Sequence, residues 1–417
     1  MKGSVTKVKS KSGDIWRIFT EGPRGIDSKR NRITRRIQGT RSEANRELRK
    51  LIKEIEDQTY VRPTDITLRD FFESRYLPVI EATVRATTFE NMLQYIRAYL
   101  LKNIGEVKIS ELTTERVQEL YRFLSKRGGK NGRPLAPRTV LKVHQALRSA
   151  LDKAVDWELV ARNVATRAVH PKPERVEFKV LNSAQVVAMI KEIGQTNPWA
   201  ETIVFLAFYT GLRRSELLGL RWIDLDLGRA TLSVRRSYHR LDDRSSVINP
   251  PKTARSSRSV ALTRSTVARL TMHLAGAQRT AGIMGKKLDE NDYLLPWKDG
   301  QPVRPDSLTQ AFRRAAKKLG FRNLRFQDTR HTHASLLLLT GAHPKIVSER
   351  LGHASVAFTL DTYSHVLPGL QQAAADRFDQ LMTGVSAGDP SIENYVIEKS
   401  NRTPLLSGPP PPSRSTR

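Results

Sequence analysis

Apolar and polar positions alternate in the first forty residues, which is the period of strand. Asp14-Ile-Trp-Arg-Ile-Phe-Thr20 is one such run, followed by the turn residues Gly22, Pro23 and Gly25. A second runs over 32–37 and stops before Gly39. The period then changes. Thr40 stands where a helix cap is expected, and Leu48, Leu51, Ile52 and Ile55 recur at helical spacing behind it. A stretch around Pro63, within 58–66, reads as a linker. From 67 to about 170 the pattern is helical throughout, with helices predicted over 68–76, 87–101, 113–126 and 137–157. The loop Gly128-Gly-Lys-Asn-Gly132 between the last two lacks the Lys-Ser/Thr ending of a nucleotide phosphate loop.

His170-Pro-Lys-Pro173 reads as a second, stiffer linker. Beyond it the pattern is mixed. Helices are predicted near 183–194, 198–209, 214–221, 263–281, 305–319, 328–340, 344–351 and 356–364, with strands near 230–237 and 257–262. After about 383 the hydrophobicity falls and the chain closes on a four-proline run at 409–412, so 384–417 reads as a disordered tail.

Composition sharpens this picture in two ways. At 417 residues, with 39% hydrophobic and 27% charged positions, the chain can bury a core, and about three domains are expected. Its longest apolar stretches fall far short of the roughly 18 residues that cross a bilayer, and no apolar segment follows the basic start. A soluble cytoplasmic protein without membrane attachment is the expectation. The absence of cysteine excludes disulfides, thiolate metal sites and a thiol nucleophile.

Charge matters more. Lys and Arg number 71 against 42 Asp and Glu, a net +29, as expected of a protein that displaces counterions from a polyanion. The first 41 residues hold twelve basic residues and three acidic ones. Arg32, Arg35 and Arg36 lie on a predicted strand that could enter a DNA groove, although a solvated edge strand would look the same. Arg138 and Lys142, with Arg148, ride on a helix that could pack with one face and touch DNA with another. For any single residue, solvated charge is the commoner explanation.

The signatures of several enzyme classes are missing. No His-Glu-x-x-His, Gly-x-Ser-x-Gly or dinucleotide fingerprint occurs. Asp224 and Asp226 lack a third carboxylate for a two-metal centre and read better as turn or cap residues. His331 and His333, two apart on a helix, diverge by roughly 200° and seldom share a metal. No metal ion is expected.

Four segments stand out instead. They are Tyr209-Thr-Gly-Leu-Arg213-Arg-Ser-Glu216-Leu, Pro251-Lys252-Thr-Ala-Arg-Ser-Ser-Arg258, Phe326-Gln327-Asp-Thr-Arg330-His331, and Leu351-Gly-His353 with Tyr363 ten residues beyond. In order and spacing they resemble the tyrosine recombinase (phage integrase) family, specifically over about 198–367. The helical unit before them resembles the family's core-binding domain, and the basic N-terminal unit an arm-type DNA-binding domain in outline.

That resemblance implies a multidomain, mainly α chain with small β elements. An α+β arm-binding unit would span 1–57, an all-α, SAM-like core-binding domain 67–170, and a mixed α/β catalytic domain 175–383. It also implies a clamp around double-stranded DNA, a homotetramer on paired core and arm-type sites, and no metal or nucleotide cofactor. An excisionase or a host DNA-bending protein could assist. The function implied is site-specific integration through a covalent 3′-phosphotyrosine. The alternatives are a type IB-like topoisomerase and a DNA-binding regulator that has lost catalysis.

The chemistry is reasonable on its own terms. Arg213 and Arg330 would clamp the non-bridging phosphate oxygens with paired, fixed donors. Tyr363 would be the nucleophile. Lys252 would protonate the leaving 5′-oxygen, and His353 would hydrogen-bond the phosphate or assist proton transfer. Arg214 competes with Arg213, but the residue directly after Gly-Leu matches the family's arginine. Glu216, one turn on, would position the segment. One departure stands out: Gln327 replaces the usual first histidine of the His-x-x-Arg box and cannot shuttle a proton near neutral pH. His331, one turn further, shares that side of the helix and could compensate.

Overall fold

The structure is a computed structural model, and it describes residues 3–8, 14–21, 32–57, 64–174, 178–250 and 257–363, with 375–376, 378–380 and 382. Lys252, the turn at 22–25, residues 58–63 of the first linker and the tail at 384–417 lie outside the described residues. The chain divides into two compact units. One holds 1–178 together with 238–249, and the other holds 179–237 together with 250–417.

The first unit contains two separate apolar cores. In the smaller, strands β1 (Gly3–Val8), β2 (Ile15–Glu21) and β3 (Arg32–Gln38) form an antiparallel meander. The helix Arg41–Glu56 begins at the expected cap, where Thr40 accepts from the Glu43 N–H and the Glu43 carboxylate accepts from the Thr40 N–H. Ile18 and Ile33 of the sheet pack against Ala44, Leu48, Leu51 and Ile55 of this helix. The register separates the three arginines of β3. Arg35 pairs with the fully buried Ile18, whereas Arg36 pairs with Arg17, both of them exposed, and Arg32 stands opposite Glu21.

The larger core gathers helices over 68–83, 86–104, Thr114–Arg127 and Pro137–Asp156. The first of these outruns its prediction of 68–76. Pro78 looks like a stop, because proline has no N–H and crowds the carbonyl four residues back. The helix instead widens to a π turn over Phe72–Tyr76 and continues past the proline. The same widening lets Phe71, Phe72 and Tyr76 all bury completely. In Pro137–Asp156 the buried row is Val140, Val143, Leu147, Leu151 and Ala154, and Arg138 and Lys142 are exposed on the other side.

The second unit is built around the helix Pro198–Thr210, whose stretch 203–208 is apolar and buried on every side. Helices Ser183–Thr196 and Asp328–Leu339 pack on it. A three-stranded antiparallel sheet runs β4 (Leu225–Asp226), β5 (Thr231–Val234), β8 (Arg258–Ala261). The strand predicted over 230–237 is divided: β6 (Ser237–Arg240) belongs to a separate two-stranded sheet with β7 (Ser246–Asn249). The break falls at Arg235 and Arg236, and the Arg236 guanidinium lies 2.5 Å from the buried Asp224 carboxylate. The helix predicted over 214–221 is one turn shorter, Arg214–Leu218, and stops at Gly219. Asp224 and Asp226 do act as caps: Asp224 closes the short 3-10 helix Trp222–Asp224 by accepting from the Arg221 backbone N–H, and Asp226, the last residue of β4, accepts from that of Arg229.

Candidate active site

The long apolar helix delivers the first site residues. It ends at Gly211 in the left-handed region (φ +67), where a Cβ would stand 2.6 Å from the His333 ring and 2.7 Å from Leu351. Only glycine turns the chain there without displacing both. Arg213 then forms the N-cap of the next short helix. Its backbone N–H donates to Glu216 Oε2 at 2.8 Å, and its Nη1 pairs with Oε1 at 2.7 Å. Arg214 is committed elsewhere, with Nη1 on Thr309 Oγ1 and the Pro305 carbonyl.

Glu216 is the hub of this corner. Besides Arg213 it holds Arg258, whose Nη2 lies 2.9 Å from Oε2 and whose Nη1 lies 3.2 Å from Oε1. Burial by itself would raise the Glu216 pKa, but the two arginines and the backbone donor win and hold it at about 2. Arg258 also donates from Nε to the Arg350 carbonyl at 2.7 Å, which ties this corner to the turn before His353.

Arg330 is 2% exposed. Its Nη1 donates to the Gly211 carbonyl at 2.9 Å and its Nη2 to the Leu351 carbonyl at 2.6 Å. That occupies two of its five N–H donors. Burial, then the neighbouring Arg213, bring its pKa down to about 9, so it stays charged at neutral pH. Arg213, Arg258 and Arg330 face the single carboxylate of Glu216, so the pocket has a surplus of positive charge suited to an anion.

Two further segments close the centre. Gly352 (φ +66) turns the chain so that His353, 9% exposed, sets its Nδ1 2.8 Å from Thr359 Oγ1. Tyr363, at the end of helix Val356–Tyr363, is completely buried. Its ring lies nearly parallel to that of His353, at 12° with centroids 6.3 Å apart, and its hydroxyl is 3.0 Å from His331 Nδ1. Burial pushes the Tyr363 phenol up to about 12 against the pull of Arg330 and Arg213.

Of the residues singled out from the sequence, Arg213, Arg330, His353 and Tyr363 thus converge. Gln327 is exposed at the start of helix Asp328–Leu339 and makes no capping hydrogen bond. His333 points away from the centre: it donates from Nδ1 to the Phe208 carbonyl and accepts from Arg350 on Nε2. Among the described residues no group of three His, Asp or Glu could hold a metal ion, and no helix is long and apolar enough to cross a membrane.

Comparison with known proteins agrees with this geometry. Residues 179–369 match the phage integrase family, and residues 67–125 match the N-terminal SAM-like domain of phage integrases; together these take in more than half of the chain. The chain belongs to the phage integrase family. The ICEBs1 integrase of Bacillus subtilis is 26% identical over 349 residues, covering 84% of this chain and 92% of that one. Among solved structures, the Tn1549 transposon integrase in complex with a circular intermediate DNA superposes with a TM-score of 0.61 at 18% identity, over 75% of this chain and 99% of its own. The lambda integrase tetramer bound to a Holliday junction gives 0.54 at 16% identity, over 83% and 92%. This integrase is therefore a tyrosine recombinase, of the family of enzymes that cleave and rejoin DNA.

Arg258 lies in the Lys252 segment with no role evident from the sequence. The signal was present: in Arg-Ser-Val-Ala, alternation puts position 258 on the same side as the buried Val260. An arginine on the inner face of a strand calls for an acid, and Glu216 is that acid.

The imidazoles of His331, His333 and His353 are expected to make the integrase acid-sensitive. Burial is the main cause that lowers His331 to about 4, and His333 and His353 to about 3, from an ordinary value near 6.5. The unfolded chain takes up these protons as pH falls through about 6.5, and the folded chain does not until far lower. Stability is therefore full above that value and declines below it, by about 2 kcal/mol at pH 5 for His333 and by less for the partly solvated His331 and His353. Glu216 adds to the decline only below about 4.5. Thermal unfolding of the catalytic unit is expected to drop by on the order of 10 °C between pH 7.5 and 5. An unchanged midpoint would show that these rings are protonated in the folded state.

Proposed function

We propose that this integrase inserts a phage or other mobile element into double-stranded DNA at a specific site, and can excise it, through a covalent 3′-phosphotyrosine on Tyr363. The single observation that carries the assignment is the Tyr363 hydroxyl seated at a centre ringed by guanidiniums, in a chain whose family joins DNA strands. The scissile phosphate would lie against Arg213 and Arg330, whose donors match the charge that builds on its non-bridging oxygens during attack. Tyr363 Oη would bond to phosphorus while the bond to O5′ breaks. Lys252 would protonate that oxygen, and His353 would steady the phosphate. No energy source is needed, because the phosphotyrosine conserves the bond for resealing.

A tetramer on paired core sites is the proposed working form, and the lambda integrase tetramer bound to a Holliday junction supports it. The exposed Arg17, Arg36, Arg138 and Lys142 would add grip on phosphates, with residues 1–57 on arm-type sites and 67–170 on the core. An excisionase or a host DNA-bending protein would set direction, and the reaction would take place at the nucleoid in the cytoplasm of a bacterial host. The test is a nicked duplex carrying the sequence that the protein protects from nuclease, incubated in EDTA. The expected product is a DNA adduct that peptide mass spectrometry maps to Tyr363, formed as fast as with magnesium. Cleavage that requires a divalent ion would instead indicate a metal-dependent nuclease.

A further inference from the structure

At position 327 this chain has no imidazole, and the glutamine found there is exposed. An imidazole does stand at the reacting oxygen. His331 lies one turn further along the same helix, its Nδ1 3.0 Å from Tyr363 Oη, with ring centroids 5.7 Å apart at a tilt of 52°. The other imidazole of the centre is differently engaged: His353 has its Nδ1 on Thr359 Oγ1 and lies alongside the phenol ring.

We propose that His331 is a further catalytic residue, the acceptor of the proton that leaves the Tyr363 hydroxyl. The inference rests on Tyr363 being the attacking group. As the Oη–P bond forms, the phenolic proton passes to His331 Nδ1. The P–O5′ bond breaks with its electron pair on O5′, which takes a proton from a separate donor, Lys252. Religation runs the same transfers backwards, and His331 returns the proton to Oη.

The protonation states before attack are the required ones. Burial keeps the imidazole neutral, at about 4, and keeps the phenol intact, at about 12. The gap between them rules out transfer ahead of attack. The proton moves only as Oη bonds to phosphorus, when the phenol becomes strongly acidic. Asp328 favours a charged imidazole, while Arg330 and Arg325 oppose it. A phosphate drawn against Arg330 would weaken that opposition when the proton has to move.

The experiment measures single-turnover adduct formation by the full chain on the protected-sequence duplex. His331→Gln is expected to slow the adduct by about 10²- to 10³-fold with DNA affinity unchanged. A second substrate carries sulfur in place of the bridging O5′, so that the leaving thiolate needs no proton. This substrate is expected to rescue Lys252→Ala and leave His331→Gln slow. A His331→Gln rate within threefold of the wild type, or full rescue by the sulfur substrate, overturns the proposal. Should that variant not fold, nitrogen NMR of the unmodified protein decides. A bare Nδ1 with the proton on Nε2 is expected, and an Nδ1–H tautomer overturns it. An adduct on a residue other than Tyr363 would instead sink the nucleophile assignment, a separate outcome.

Discussion

Tyr363→Phe is expected to abolish the covalent DNA adduct completely and to leave DNA binding within about twofold of the wild type. The substitution removes one oxygen from a fully buried side chain, and the phenyl ring keeps the packing against His353. What is lost is the proposed nucleophile and one hydrogen bond at His331 Nδ1, at a cost to the fold of about 1 kcal/mol. The nearby hydroxyl of Thr359 is no substitute, because it is bonded to His353 and lacks the acidity of a phenol. Denaturing electrophoresis of the adduct, beside a gel-shift titration, separates the two effects. An adduct that persists in the phenylalanine variant would remove Tyr363 from the reaction.

The second large effect belongs to Arg330. Arg330→Ala is expected to reduce adduct formation by more than about 10³-fold, since it removes the guanidinium proposed to meet the charge that develops on the phosphate. It also strips the Gly211 and Leu351 carbonyls of their partner in a buried place, costing about 1–3 kcal/mol for each. Arg330→Lys separates the two roles. The ammonium keeps the charge but cannot fork to two carbonyls and a phosphate at once. Thermal stability is expected to recover in part, while cleavage stays down by on the order of 10²-fold. A lysine variant with near-normal cleavage would show that charge alone suffices at this position.

Much of this molecule could be read locally. Helices with strong periodicity, such as Pro137–Asp156 and Pro344–Leu351, lie where their patterns place them, and the Thr40 cap is present as expected. Arg213, Arg330, His353 and Tyr363 were legible because each lies in a short segment with its own spacing. What stayed hidden depends on distant partners. Pro78 looks like a helix stop until Phe71, Phe72 and Tyr76 all need burial in one core. Arg32, Arg35 and Arg36 look equivalent until the register with β2 sends Arg35 to the buried side. Arg258 looks like surface charge, and His331 can be placed on the side of Gln327 but not against its partner, because the residues that give them meaning, Glu216 and Tyr363, lie 42 and 32 positions away.

The way Arg330 is held has a consequence for the life of the polypeptide. Its two carbonyl partners lie 119 residues before it and 21 after it, and Tyr363 comes later still. On a growing chain the N-terminal basic regions emerge and fold first, long before the guanidinium has both its acceptors or a tyrosine beside it. A product cut short by a nonsense codon or a stalled ribosome would therefore occupy attachment sites without nicking them. Such fragments would compete with full-length protein, so premature termination in this gene should act as a dominant block to recombination and not as a source of stray breaks.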